Sequence, residues 1–140
     1  MTAEVPLPGA VIAYPYLWAS QRGTRETEGR KDRPVCLLLS IHDPANDLHH
    51  LVLLAISSQP PAPDQIGLEI PDTERRRGGL TRYPRVWVVI SEYNYDIAER
   101  SFYYNPTIVP LGRFSAPYLR ELATAFRANL TAAARIDRTV

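Results

Sequence analysis

The run Val35-Cys36-Leu37-Leu38-Leu39-Ser40-Ile41 is apolar at every position but one, and a second, similar run follows it at His50 to Ile56. A short continuous apolar run bounded by turn residues is typical of a strand buried on both faces. Between the two runs, Asp43-Pro44-Ala45-Asn46-Asp47 is a cluster of turn formers. We therefore predict a hairpin of two buried strands, in which the start of the first strand lies beside the end of the second.

Four further segments carry strand signals on either side of this hairpin. The strongest is Arg85 to Ile90, because it is rich in β-branched and aromatic residues. Gly67 to Pro71 is expected at a sheet edge, since a proline cannot donate a ladder hydrogen bond. The four predicted strands are Gly9 to Tyr14, Gly67 to Pro71, Arg85 to Ile90 and Thr107 to Gly112.

The C-terminal region changes from a strand period to a helical one. Its apolar residues recur at steps of three and four, which predicts a helix over about residues 116–134. Ser115 is a suitable N-cap, and the tail from Ala132 to Val140 is expected to fray. Short strands followed by one helix predict a mainly β class, with residues 1–140 forming a single domain built as a small barrel with the helix outside. The apolar helix face comprises Leu119, Leu122, Ala123, Phe126 and Leu130.

Length and composition bound the class of protein. A chain of 140 residues with 45% hydrophobic and 22% charged residues is ordinary for one globular domain. No apolar run approaches the ~20 residues that span a bilayer, and Met1 to Pro6 lacks the pattern of a secretory signal. The one cysteine, Cys36, lies in an apolar run and is predicted to be a buried thiol. We expect a cytoplasmic protein, and its net charge of +1 argues against bulk electrostatic binding to a long duplex.

The first candidate site lies where a charged loop meets the hairpin. Residues 19–32 form a long polar loop, and Glu28-Gly29-Arg30-Lys31-Asp32-Arg33-Pro34 ends it with a group of cations. Pro34 disfavours the helical conformation for Arg33 and so gives this side chain a defined direction. The predicted hairpin sets Arg33 beside the first of two hydroxyls, Ser57-Ser58, and this pairing can bind a phosphate. The alternatives are a solvated loop and serines that only form a turn.

A second cluster of cations, Arg75-Arg76-Arg77, precedes Gly78-Gly79 on a predicted loop, with Arg82 and Arg85 nearby. It can grip a nucleic-acid backbone or an acidic partner. A plain solvated loop explains the same residues.

Histidines and tyrosines supply weaker candidates. His42, His49 and His50 flank one predicted turn and can transfer protons, although solvated turn histidines are the default. No Cys/His set has metal-ligand spacing and no glycine-rich phosphate loop is present, so we predict no metal and no cofactor. Four tyrosines can stack on unpaired bases or form a half-buried aromatic rim: Tyr93, Tyr95, Tyr103 and Tyr104.

Taken in order along the chain, five segments resemble the PemK/MazF toxin family, in an atypical branch with a longer first loop. The resemblance has two departures, since Ala10 stands where Asp is usual and Ser57 stands where Thr is commoner. The segments are Pro8 to Val11, Glu28 to Leu39 with its Arg-Pro pair, Leu53 to Ser58, Trp87 to Glu92, and Leu111 to Ser115 ahead of the helix.

The resemblance implies an SH3-like barrel, a homodimer and metal-independent cleavage of single-stranded RNA through a 2′,3′-cyclic phosphate. It places the family's catalytic arginine on Arg33 and its catalytic hydroxyl on Ser57. Glu28 and His49, with His50, are candidate proton-transfer residues, chosen for expected proximity and pKa range. The residues expected to bind RNA are Arg30, Lys31, Ser58, Arg75, Arg76 and Arg77.

The function that follows from the resemblance is the toxin of a type II toxin–antitoxin system, acting as an endoribonuclease and occluded by a separate antitoxin chain. One alternative is a non-catalytic binding module, or an inhibitor of another protein, on the same fold. Another is an SH3-like interaction domain without toxicity, suggested by the tyrosines and prolines. Fold alone does not separate these functions.

Overall fold

A computed structural model describes residues 5–21 and 32–139 of the chain. Within these ranges the chain forms eight strands and two α-helices, together with single-turn 3-10 helices at Ala19–Gln21 and Ala98–Arg100. The strands are β1 (Ala10–Tyr14), β2 (Arg33–Asp43), β3 (Leu48–Ser57), β4 (Gly67–Glu69), β5 (Trp87–Val89), β6 (Glu92–Ile97), β7 (Gly112–Arg113) and β8 (Ala134–Asp137). The helices are α1 (Asp72–Arg77) and α2 (Ala116–Ala128).

The predicted hairpin is confirmed as the antiparallel pair β2–β3. Its ladder runs from Asp43 opposite Leu48 to Val35 opposite Ala55, with a bulge in β2 between Leu37 and Leu39. Successive side chains of a strand point to opposite faces, and Val35 to Leu38 alternate between two separate hydrophobic cores. This explains why these four positions are all apolar. Burial on both faces ends there, because Leu39 and Ile41 are exposed.

The sheet extends from the hairpin in both directions. Its main order is β4-β5-β3-β2-β1-β7, and β6 pairs with the first half of β3 while β5 pairs with the end of β3. Every pair in the described ranges is antiparallel except β6–β8, which is parallel. The mainly β class in one domain is confirmed, and β4 lies at the edge as predicted. Within the described residues no ladder joins β4 to β7, so the closed barrel stays a prediction.

Helix α2 covers the first core. Its buried side chains Tyr118, Leu122 and Phe126 pack against Val11 and Leu54 of the sheet. The predicted N-cap is confirmed, because the Ser115 hydroxyl accepts a hydrogen bond from the backbone N–H of Tyr118 at 3.3 Å. The second core lies on the opposite face of the sheet.

Several predicted elements differ from the structure. The helix ends at Ala128 rather than near residue 134, and the tail, expected to fray, instead forms β8 against β6. The strand expected over Thr107 to Gly112 is confined to Gly112–Arg113. The arginine cluster predicted on a loop belongs to α1, and β6 was not predicted at all.

Strand β6 has an inverted pattern, with its polar residues inside. Glu92, Asn94 and Asp96 are buried, whereas the tyrosines between them are half-exposed. The carboxylate of Asp96 accepts a hydrogen bond from the Tyr14 hydroxyl at 2.7 Å, and the amide of Asn94 bonds both backbone groups of Leu17 at 2.8 and 2.9 Å. Asp96 and Asn94 therefore tie β6 to the end of β1 and to the segment that follows it, because each finds hydrogen-bond partners there.

We expect Glu92→Gln to remove a pH-dependent loss of stability. Glu92 accepts hydrogen bonds from the Tyr16 hydroxyl and the Ala19 N–H, but burial raises its pKa. A carboxyl group whose folded-state pKa is raised contributes stability that is present below its unfolded pKa of about 4.3 and lost as pH rises through the folded value. The variant should therefore be at least as stable as wild type at pH 7, with the difference narrowing toward pH 4.

Urea denaturation between pH 4 and pH 8 measures this difference. Glu121→Gln, an exposed position on α2, is the control for loss of one surface carboxylate. A Glu92→Gln variant less stable than wild type at pH 7 would show that the ionised carboxylate is a net stabiliser, contrary to this expectation.

Candidate functional site

A cavity of about 420 Å³ opens at one end of the hairpin. The antiparallel register brings the first residues of β2 beside the last residues of β3, and Ser57 of β3 pairs with Trp87 of β5. The segment that leads into β5 therefore lies at the same end of the sheet. This volume falls within the range of small-ligand sites. The lining residues are Asp32, Arg33, Pro34, Ile56, Ser57, Ser58, Gln59, Arg82, Tyr83 and Val86.

Arg33 is the half-buried cation of this cavity. Its guanidinium carbon lies 5.1 Å from the centroid of the Trp18 ring. Among the described residues, the Nε atom of Arg33 is buried and has no hydrogen-bond partner. Burial lowers the pKa of Arg33, yet a guanidinium stays protonated at neutral pH. A desolvated cation with an unused donor is costly, and an anion bound in the cavity would offset that cost.

The serine hydroxyls at the end of β3 differ in their bonding. The Ser57 hydroxyl donates to the carbonyl of Gln59 at 2.9 Å and accepts from the N–H of the same residue at 3.0 Å. These two hydrogen bonds close a turn, as in the alternative in which the serines only form a turn. Ser58 is exposed at the cavity. The structure thus brings Arg33, Ser57 and Ser58 to one cavity. The Ser57 hydroxyl also stabilises the turn to Gln59.

Two further residues, Arg82 and Tyr83, line this cavity. The sequence analysis named Arg82 only as a neighbour of the Arg75-Arg76-Arg77 cluster and did not name Tyr83. The guanidinium carbon of Arg82 lies 5.0 Å from the Tyr83 ring centroid. The Tyr83 carbonyl accepts a hydrogen bond from Nη1 of Arg75 at 2.9 Å, and its N–H donates to the Leu80 carbonyl at 3.1 Å. Both residues directly precede the strong strand segment Arg85 to Ile90. Their position at this cavity follows only from the pairing of β5 with the end of β3.

The predicted RNA-binding cluster Arg75-Arg76-Arg77 does not line the cavity. The guanidinium of Arg75 makes internal contacts, including a 2.6 Å ion pair with Asp72 and the hydrogen bond to the Tyr83 carbonyl. Arg76 pairs with the same carboxylate at 3.0 Å. Hydrogen bonding from Arg75 lowers the pKa of Asp72. Arg75 is thus a positioning residue for the cavity wall rather than a direct ligand, because its donors are occupied.

His49, selected as a proton-transfer residue, does not line this cavity. It lies near the start of β3, eight residues before Ser57, a strand length of roughly 26 Å. Its Nδ1 atom pairs with Glu99 at 2.7 Å, and its ring stacks on His42 with centroids 4.6 Å apart. His50 lies at the same end, with its Nδ1 atom 2.6 Å from the Tyr95 hydroxyl.

The four tyrosines considered for base stacking are held by internal contacts. Tyr93 packs edge-on against Phe126 with centroids 5.3 Å apart, and Tyr104 is buried. Arginine side chains cover the rings of Tyr95 and Tyr103. This arrangement agrees with the half-buried aromatic rim.

Cys36 is fully buried, and burial raises its pKa to about 12. The thiolate is therefore disfavoured, so the prediction of a structural thiol is confirmed. Glu28, Arg30 and Lys31 lie outside the described residues.

Within residues 5–21 and 32–139, no group of three or more His, Cys, Asp or Glu side chains is arranged to hold a metal ion. No helix in the same ranges has the length and apolarity needed to cross a bilayer. Comparisons of the chain with protein-family models, with curated proteins and with solved structures gave no match.

Proposed function

We propose that this protein is a PemK/MazF-like toxin that cleaves single-stranded RNA at the cavity around Arg33. One observation carries the proposal: the hairpin register brings a half-buried arginine with an unused donor and two serine hydroxyls into one cavity. Arg82 adds a second cation at the wall. Two guanidinium groups beside hydroxyls suit a phosphodiester, because arginine donors match phosphate oxygens.

The reaction needs no group beyond the RNA and the protein. The ribose 2′-oxygen attacks the adjacent phosphorus, a new O2′–P bond forms, and the P–O5′ bond breaks. The products are a 2′,3′-cyclic phosphate and a 5′-hydroxyl. Arg33 stabilises the negative charge that grows on the non-bridging oxygens. Ser57 can turn its proton from the Gln59 carbonyl to a phosphate oxygen while still accepting the Gln59 N–H.

The proton of the 2′-hydroxyl needs an acceptor, and we propose Asp32 for this role in place of His49. Asp32 lines the cavity and precedes Arg33 directly. Its carboxylate can accept the proton. The same reaction requires a proton on the departing O5′, which the protonated carboxyl or water supplies.

The remaining features of the proposal follow from the family resemblance. They are an SH3-like arrangement of the strands, a homodimer, and an antitoxin chain that covers the cavity. The protein would act in the cytoplasm, where its RNA substrate lies. A net charge of +1 fits a short single-stranded substrate held at few phosphates rather than a long duplex.

Cleavage is tested with purified protein and a single-stranded RNA in EDTA. Wild type, Asp32→Asn and Arg33→Ala are purified in parallel, and product ends are mapped. We expect wild type to leave 2′,3′-cyclic phosphates and to spare an all-deoxy substrate. Asp32→Asn should slow cleavage by about 10²-fold or more, with RNA binding retained, because it removes the proton acceptor. Equal cleavage by all three preparations would identify a contaminant and overturn the proposal.

Induction in cells tests the toxin part of the proposal. Growth arrest with new RNA ends, both abolished by Arg33→Ala, is the expected result. Growth arrest without RNA cleavage would favour the non-catalytic inhibitor instead. No arrest and no cleavage would favour an interaction domain.

A further inference from the structure

Tyr83 presents a fixed aromatic ring to the cavity. It is half-buried, packing against the core that lies beneath α2 while also lining the cavity. Its backbone is held on both sides, by Arg75 at the carbonyl and by Leu80 at the N–H. Pro84 follows and restricts the backbone further. A ring held in this way loses little conformational freedom when a ligand packs on it.

Arg82 extends this surface with a second flat group. Its guanidinium lies over the Tyr83 ring at 5.0 Å, and no hydrogen bond from it is found among the described residues. Nucleobases stack both on aromatic rings and on guanidinium planes. The Arg82–Tyr83 pair therefore offers a π surface within the cavity that holds Arg33.

We propose that the Arg82–Tyr83 pair is a binding subsite for an unpaired nucleobase next to the phosphate held by Arg33. The inference rests on the proposed RNA-cleaving function and adds a base-binding element to it. A nucleotide carries a flat ring and an anion side by side, and the cavity offers a stacking surface and a half-buried cation side by side. Stacking accepts every base, because each has a π face. The subsite therefore selects single strands over duplexes, in which bases are already stacked and paired.

Binding to an uncleavable probe tests the subsite separately from catalysis. The probe is a labelled, fully 2′-O-methylated RNA heptamer, and its affinity is measured by fluorescence anisotropy. Tyr83→Leu keeps apolar bulk against the core but removes the ring, and it should weaken binding by about 10- to 100-fold. Tyr83→Phe keeps the ring and should bind nearly as wild type does.

A matched control is Tyr95→Leu. Tyr95 also lies under an arginine, with Arg135 at 4.3 Å from its ring centroid. It pairs with Val52, five residues before Ser57 on β3, which is about 16 Å along the strand. Its loss should leave affinity nearly unchanged. A second control is the same sugar-phosphate chain without bases, which wild type and Tyr83→Leu should bind equally.

The outcomes separate the two proposals. If Arg33→Ala weakens binding of the heptamer but Tyr83→Leu does not, the phosphate site stands and the stacking subsite is wrong. If Tyr83→Leu weakens the base-free probe as much as the heptamer, the effect is a disturbed cavity and the inference also fails. If Arg33→Ala changes neither binding of the heptamer nor cleavage of RNA, the proposed function itself fails.

Discussion

Arg33→Ala is expected to lower the rate of RNA cleavage by about 10²- to 10³-fold, the usual cost of removing one donor that stabilises transition-state charge. The half-buried guanidinium has an unused Nε donor in a cavity that also holds Ser57 and Ser58. In low-dielectric surroundings such a cation acts on phosphate oxygens far more strongly than it would in water. Single-turnover cleavage, with RNA binding measured separately, gives the effect on the chemical step.

Arg33→Lys should recover only a small part of the activity. Lysine keeps a positive charge but lacks the planar fork that meets two phosphate oxygens at once. Partial burial also disfavours a charged ammonium, so the residual activity should rise as pH falls within the neutral range.

The stability of these variants distinguishes a functional arginine from a structural one. The substitution removes a desolvated donor that has no partner, and this lowers the free-energy cost of folding. That gain offsets the stability lost with the Trp18 contact. We expect the melting temperature of Arg33→Ala to stay within a few degrees of wild type. A large drop, accompanied by unchanged activity of the remaining folded protein, would mean that Arg33 serves the fold and not the reaction.

Gly79→Ala is expected to destabilise the protein by about 3 kcal/mol or more, since overpacking and a left-handed backbone each add to the cost. Gly79 has φ of +71°, and an added Cβ atom would lie 2.1 Å from the backbone oxygen of Leu111. Backbone cannot step aside as a flexible side chain can. Gly112 faces the end of α1 at similar range, with an added Cβ atom 2.2 Å from the Arg77 oxygen.

Thermal and urea unfolding measure this loss, and the melting temperature should fall by about 10 °C. Gly67→Ala is the matched control, because the three atoms nearest to its added Cβ atom belong to the Pro61 side chain, at 3.1 to 3.5 Å. We expect that variant to lie within about 1 kcal/mol of wild type. A loss for Gly79→Ala as small as that expected for Gly67→Ala would show that Gly79 does not approach the backbone of Leu111 as closely as in the structure. Arg75 belongs to α1 and donates a hydrogen bond to the Tyr83 carbonyl. A displacement of α1 in Gly79→Ala should therefore also make Tyr83 less well ordered at the cavity wall.

The hairpin and its consequence for Arg33 and Ser57 were predictable from local information. A continuous apolar run requires cover on both faces, and a turn cluster between two such runs leaves one simple antiparallel pairing. That pairing alone sets the start of the first strand beside the end of the second. The capped, amphipathic helix was equally local in origin, since Ser115 and the helical period of the apolar residues mark it.

Strands β6 and β8 escaped prediction because long-range contacts form them. Alternation in Glu92-Tyr93-Asn94-Tyr95-Asp96-Ile97 favours buried tyrosines by hydropathy, yet the acids and the amide are inside. They are inside because the segment after β1 arrives with hydroxyl and backbone donors that satisfy them. Strand β8 in turn needs β6 as its parallel neighbour.

The candidate site likewise contains residues that the sequence could place and residues that only the tertiary structure placed. Residue order and polarity placed Arg33 and Ser57 at one end of a hairpin, because strand pairing follows from a local turn. Arg82 and Tyr83 joined them only through the pairing of β5 with the end of β3, across some thirty residues whose course no local pattern fixes. His49 lies far from this cavity because it and Ser57 stand near opposite ends of the extended strand β3.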